Sequence, residues 1–235
     1  MSIVISVIMP VYNAQNYITE AIESVLWQTF KSFELIIVND GSIDASEAII
    51  NGFKDSRIVY LKQENQGQAN ASNKGVKIAR GRYIKFFDAD DVLNPLHLEK
   101  QYLALNGHDC YLASCQWAYF YENHRLVNFE KETTHKNYDY PLDWLYDSHI
   151  HDSGMLGAWL WLIPKKLLDK AIQNFRKKVP KYSYDVSDFN ISFVKGLSLK
   201  DGAATLTEYT AELLYDYFID AMDGAVGNIL SGGGR

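Results

Sequence analysis

A chain of 235 residues with 47% apolar and 22% charged residues can bury one substantial α/β core, with a smaller lobe appended. Its formal charge of -6 argues against general nucleic-acid binding, which needs a dominant basic face. Aromatic residues make up 14% of the chain, with 16 Tyr and 5 Trp, which suits a cleft that stacks rings or sugars.

In chain order, Ile3 to Met9 is a continuous β-branched apolar run, the pattern of a parallel strand buried on both faces. From Ala14 to Trp27 the spacing of Tyr17, Ile18, Ala21, Ile22, Val25 and Leu26 predicts a helix. Phe33 to Val38 reads as a second buried strand, followed by a turn and a helix from about Asp44 to Phe53. Arg57 to Lys62 is a third strand, Gln68 to Ala79 a helix, and Tyr83 to Phe87 a fourth strand. Such alternation predicts a doubly wound, mostly parallel sheet flanked by helices.

Asn94 and Pro95 then read as the N-cap and first position of another helix. Beyond it the pattern loosens. Cys110 to Phe120 and Arg125 to Phe129 are expected strands, and His135 to Ser153 an irregular aromatic loop of the kind that binds ligands. Pro164 to Lys178 reads as a basic helix, and Leu206 to Met222 as an amphipathic one. The Gly-rich end, residues 231–235, is expected to be disordered.

The chemistry lies between these elements. Phe86-Phe87-Asp88-Ala89-Asp90-Asp91 places three carboxylates where an apolar strand ends. Such acids repel one another, and a hard divalent cation that also holds phosphate oxygens would relieve them. Pro10-Val11-Tyr12-Asn13 follows the first strand, Asn39-Asp40-Gly41-Ser42 the second, and Asn65-Gln66-Gly67-Gln68 the third. In a parallel sheet all four segments arrive at one edge, where open α/β sheets bind ligands. Tyr12 can stack on a planar base, Asp40 can accept from a base or ribose, and the acids can carry metal. Singly, each segment is also an ordinary turn or cap. Together they describe a pocket for a nucleoside diphosphate.

Three longer stretches carry a resemblance. They are Ser6 to Asn13, Glu23-Ser24-Val25-Leu26-Trp27-Gln28-Thr29 and Leu35 to Ser42, continued by Asn65-Gln66-Gly67, Ala71 to Gly75, Gly81 to Ile84 and Asp88 to Asp91. Over about the first 100 residues the chain resembles the inverting family 2 glycosyltransferases of the GT-A type. That resemblance implies sugar transfer from a nucleoside-diphosphate sugar, with a UDP-sugar favoured, and Mn²⁺ or Mg²⁺ bridging the diphosphate and the acids. It implies a donor-binding set of Pro10, Val11, Tyr12, Asp40, Asn65, Gly67, Asp88 and Ala89. Asp90 would be the chief metal contact, with Asp88 beside it. Many members carry Arg where this chain has Ser72; Lys74 or Arg82 is the expected replacement cation.

The same resemblance places residues 1–106 as the nucleotide-sugar half and 107–230 as the acceptor and catalytic-base half. An inverting transfer needs a carboxylate to take the acceptor hydroxyl's proton. Asp188 before Phe189 matches the family position best, with Asp185 as the alternative, although the acids are separated and the usual downstream Arg is absent. Asp91 and Trp159 are assigned to the sugar and acceptor cleft, and Trp159 reads equally well as core. The acceptor would be a glycan or a lipid-linked sugar.

Several alternatives stay open or fall. His149 and His151 lack a clear third metal ligand. The basic helix is either a solvated face or a peripheral contact with anionic lipid. Cys110 and Cys115 fall on opposite strand faces, so no mutual disulfide is expected. No basic segment precedes the N-terminal apolar run, and Met155 to Ile163 is too short to span a bilayer, so a cytoplasmic protein is expected. A nucleotidyltransferase would need a Gly-rich basic loop after the first strand, and a dehydrogenase a Gly-x-Gly-x-x-Gly. Neither is present. A non-catalytic nucleotide-sugar binder with a degenerate second half remains the rival reading.

Overall fold

The N-terminal β-branched run forms β1 (Ile5–Val11), in which every residue is buried. A strand covered on both faces has no use for polar alternation, which explains its continuous apolar sequence. The computed structural model describes residues 2–118, 120, 136–138, 143, 147, 158–170 and 229–231. Among these, β1 is followed by α1 (Ile18–Leu26), β2 (Phe33–Asp40), α2 (Ser46–Gly52), β3 (Ile58–Gln63), α3 (Gln68–Ile78), β4 (Tyr83–Phe86) and α4 (His97–Leu105). Three short strands complete the sheet: β5 (Leu112–Ser114), β6 (Leu162–Pro164) and β7 (Ile229–Ser231).

The strand order is β3-β2-β1-β4-β6-β5-β7. β1 pairs in parallel with both β2 and β4, and β2 with β3, so the expected parallel sheet is present. β6 runs antiparallel to β4 and β5. Pro10 survives inside β1 because the ladder to β4 ends early. The last bond on that side runs from the Phe87 N–H to the Ile8 carbonyl, so Pro10 lacks an N–H only where no partner remains.

The core gathers Ile5, Val7, Met9 and Val11 of β1 with Ile18, Ile22 and Val25 of α1 and Leu98 and Leu105 of α4. On the other face α3 packs closely on β1: a Cβ added at Gly75 would lie 2.5 Å from Ile8 Cγ2. The amino-terminal edge of the sheet is closed by polar bonds. Ser6 and Glu34, opposite each other in β1 and β2, are joined by a 2.7 Å hydrogen bond from the Ser6 hydroxyl. The Glu34 carboxylate also accepts from the Arg80 backbone and guanidinium, while the Ser6 oxygen accepts from Gly81 N–H. A Cβ at Gly81 would meet Ser6 N at 2.5 Å, so only glycine permits this approach.

Several expectations need correction. α4 begins two residues later than expected, because Asn94 Oδ1 accepts from Leu96 N–H in a turn and Leu96 occupies the cap position. Tyr17 precedes α1 and is exposed, not part of its buried stripe. The strand expected over Cys110 to Phe120 contracts to Leu112–Ser114, which leaves both cysteines outside it. Ser231, the first residue of the expected disordered tail, lies in β7 opposite Ser114. The strand expected at Arg125 to Phe129 and the helix at Leu206 to Met222 lie outside the described residues. Of the basic helix, residues 165–170 are described and helical.

By contacts the chain forms two compact units, Met1–Lys165 with Gly227–Arg235, and Lys166–Val226. Among the described residues, no helix is long and apolar enough to cross a membrane.

Candidate functional site

All four segments picked out after the parallel strands lie at the carboxyl edge of the sheet, and specific hydrogen bonds tie them to each other. After β1, Asn13 turns with φ 52. Its N–H donates to Ser42 Oγ and its side-chain oxygen accepts from Ile43 N–H. Ala14 N–H donates to Ser46 Oγ and Gln15 N–H to Asp44 Oδ2, so short polar side chains bind the loops after β1 and β2 into one surface. Tyr12 stands on that surface about half exposed (51%), as a stacking residue must. Pro10 and Val11 are buried, and Val11 belongs to the core cluster, so their side chains do not face the edge as Tyr12 does.

Asp40 closes β2 and is only 2% exposed. Its Oδ1 accepts from Gln63 Nε2 at 2.6 Å and from Gln66 N–H at 2.9 Å. Its Oδ2 accepts from Gly67 N–H at 2.8 Å, which leaves one lone pair of that oxygen for a further donor. Gly41 follows with φ +74, and a Cβ there would lie 2.8 Å from Asn65 N. The loops after β2 and β3 therefore touch backbone to backbone. Asn65 Oδ1 accepts from the same Gly67 N–H, and Gly67 itself has φ +86 where α3 begins.

The next residue extends the chain of contacts to the acids. Gln68, the first residue of α3, donates from Nε2 to Asp88 Oδ1 at 2.8 Å. Gly67 and Gln68 thus carry successive bonds to Asp40 and Asp88, the acids expected at the nucleoside and the metal ends of one pocket. Sequence reasoning missed Gln63, and took in Gln68 only as part of a strand-end segment with no role of its own. Two amides beside a Gly loop carry no signal until tertiary contacts give them carboxylates to hold.

The acids themselves are poorly neutralised. Asp88 is held above the usual carboxylate range by burial and then by the Asp90 charge, against the pull of the Gln68 amide. Asp91 is pushed up to about 6 by burial and by Asp88 and Asp90, with Lys85 acting the other way. Asp90 is exposed, and Ala89 between the acids is buried. Among the described residues no three His, Cys, Asp or Glu side chains converge into a metal cage. One or two carboxylates that share a cation with phosphate oxygens are still the donor set a hard divalent ion accepts.

The cations suggested as replacements at Ser72 go elsewhere. Lys74 Nζ donates to the Lys62 carbonyl, and Arg82 pairs with Asp109 and the Gly107 carbonyl near the start of β4. Trp159 does reach the carboxyl edge. β6 runs antiparallel to β4, so the residues just before it, the short helical turn Ala158–Leu160, lie on the side to which β4 delivers its acids. Asp185, Asp188, His149 and His151 lie outside the described residues.

Residues 6–159 match the sequence model described as Glycosyl transferase family 2. The "Glycosyltransferase GlyA" of Streptococcus pneumoniae is 37% identical over 127 residues, which is 53% of this chain and 18% of that protein. The "Minor teichoic acid biosynthesis protein GgaB" of Bacillus subtilis is 49% identical over 94 residues, 38% of this chain and 10% of that one. The crystal structure of S. aureus TarS 1-349 in complex with UDP-GlcNAc superposes with a TM-score of 0.58 at 23% identity, covering 71% of this chain and 47% of that one. This chain therefore spans less than half the length of each, and the fold is of the GT-A type.

Proposed function

The chain belongs to glycosyl transferase family 2, and from that premise we propose that it moves one sugar from a nucleoside-diphosphate sugar to a glycan or lipid-linked acceptor, with inversion. A UDP-sugar is the favoured donor, and Mn²⁺ or Mg²⁺ the expected cation. The observation that carries the reading is the pair Gly67 and Gln68, whose neighbouring bonds hold Asp40 and Asp88 to one loop. A site that grips a nucleoside at one end and a diphosphate at the other needs that connection.

In this reading Tyr12 stacks on the base, while Asp40 accepts from base or ribose with its remaining lone pair. Pro10, Val11, Asn65, Gly67 and Ala89 shape the donor pocket, chiefly through backbone. Asp90, the exposed acid, is the chief metal ligand, with Asp88 next to it. The raised proton affinity of Asp88 fits the assignment, because a cation bound beside it would favour the ionised carboxylate. Asp90 and Asp88 would hold a divalent ion, which would supply stabilisation of the charge that builds on the departing diphosphate. Asp91 and Trp159 face the sugar and acceptor.

Asp188, or else Asp185, takes the proton of the acceptor hydroxyl as that oxygen attacks the anomeric carbon and the diphosphate leaves. Residues 1–106 then serve the donor and 107–230 the acceptor. The work would be done in the cytoplasm, with the basic helix that follows Pro164 as the point of contact when the acceptor is held by the inner face of a membrane.

The test is release of nucleoside diphosphate from a panel of nucleotide sugars with Mn²⁺, with and without candidate acceptors. Asp90→Ala should lower the rate by about 10²-fold or more, with little change in thermal midpoint because Asp90 is exposed. An unchanged rate would defeat the proposal. Wild type that binds donor in calorimetry yet releases no diphosphate with any acceptor would favour the non-catalytic rival.

A further inference from the structure

β4 carries one residue that its position does not explain. Side chains alternate along a strand, so Tyr83, Lys85 and Phe87 share a face. Tyr83 and Phe87 belong to the apolar core, and Lys85 between them is fully buried (0% exposed). Burying an ammonium costs free energy unless its donors are used, and a Leu or Met would pack there without that cost. Lys85 Nζ donates at 2.5 Å to the carbonyl of Trp159, which is 74 residues distant in sequence.

Other side chains grip the same turn. Gln101 of α4 donates from Nε2 to both the Ala113 and Leu160 carbonyls, at 2.9 Å each. Cys115 Sγ donates to the Leu160 carbonyl at 3.4 Å. The carbonyls of residues 159 and 160 are thus held by side chains from β4, α4 and the segment after β5. A three-residue helical turn has too few backbone bonds to hold itself, so these side chains set its place.

The turn presents an aromatic pair. Trp159 meets Trp117 edge to face, with ring centroids 5.9 Å apart. β5 also runs antiparallel to β6, so Trp117, just after β5, comes to the same edge as Trp159 and the acids. Burial holds the proton affinity of Lys85 down, against the charges of Cys115 and Asp91.

We propose that Lys85 is a positioning residue that ties the Trp159 turn to the acid-bearing strand, keeping the Trp117–Trp159 pair in place to receive the donor's sugar ring. It has this role only if the edge binds a nucleotide sugar as proposed above. A stacking platform for a sugar works only when its rings are held still.

The experiment compares two affinities by calorimetry with Mn²⁺: the nucleoside diphosphate and its sugar conjugate, using UDP with UDP-N-acetylglucosamine and GDP with GDP-mannose. Lys85→Met keeps the aliphatic stem and loses the donor. It should leave the diphosphate affinity within about twofold and weaken the sugar conjugate about tenfold. Lys85→Arg, which keeps charge and N–H donors, should recover most of that loss.

Equal weakening of both ligands, or no change in either, would overturn the proposal. Should Lys85→Met lack a cooperative melt, Lys85→Gln takes its place, and loss of folding in that variant too would make Lys85 a core residue and overturn it as well. Wild type that binds neither diphosphate with Mn²⁺ would sink the donor-binding reading itself, a result visible before any variant is made.

Discussion

The two edges of one sheet both carry buried or half-buried carboxylates, and they treat them oppositely. At the amino edge, burial pushes the Glu34 carboxyl up, but the Ser6 hydroxyl and the Arg80 N–H and guanidinium together outweigh it and hold the group below its usual range. At the carboxyl edge, Asp88 and Asp91 are held above theirs, because burial and mutual repulsion meet a single amide and a distant lysine. A carboxylate whose donors all come from its own chain is architecture. One left short of donors is waiting for something from outside, and that difference separates the two edges better than residue type does.

The largest effect that would break this contrast is at Glu34. Glu34→Ala removes the acceptor for Ser6 and Arg80 in the sheet's interior, and should destabilise by about 3 kcal/mol, read as a shift in the denaturant midpoint. Donor binding at the far edge should survive in whatever fraction remains folded. A loss under about 0.5 kcal/mol would mean that the amino-edge network is ornamental and the contrast false.

Asp40 sharpens the comparison, because it sits at the carboxyl edge yet is satisfied like Glu34. Asp40→Asn sets an amide against at least one of the three donors from Gln63, Gln66 and Gly67, and should cost about 2 kcal/mol. Its effect on nucleotide affinity should exceed that loss of stability, since the loop that also places Gln68 shifts with it. A variant with normal affinity would leave Asp40 as framework alone.

The smallest effect has the opposite sign. Asp91→Asn removes a repelled charge and should stabilise the metal-free protein by about 1 kcal/mol at pH 7, a figure already reduced for its partial exposure. The folded carboxyl binds its proton with a pKa near 6, against an ordinary 3.8, so between these values the native state holds more protons than the unfolded one. Stability contributed by this group is therefore full below about 4 and lost as pH rises through 6. The difference in thermal midpoint between Asp91→Asn and wild type should shrink from pH 7 to pH 4. A constant difference would show that Asp91 is neutralised by a partner after all.

Much of this was legible beforehand. The alternation of buried strands and helices through Phe86 follows from apolar runs of strand and helical period, and the strand-end segments from their turn residues. Element ends moved by a few residues, as at Asn94, where a side-chain turn delays the helix. β6 was not legible. Three residues are too few to show a period, and its pairing with β4 joins residues some eighty positions apart. With β6 went the placement of Trp159 and Trp117, and the reason for a lysine within β4.

From order and residue type alone came the family, the parallel sheet and the convergence of four loops on one edge, because parallel connections oblige strand ends of one kind to face one way. Only the folded chain settled which polar groups those loops consume on each other. Asp40 already accepts three bonds and Asp88 one, Arg82 is committed elsewhere, and Lys85 is turned inward to a carbonyl beyond the reach of local pattern. Hydrogen-bond satisfaction is a property of neighbours in space, and local sequence does not specify them.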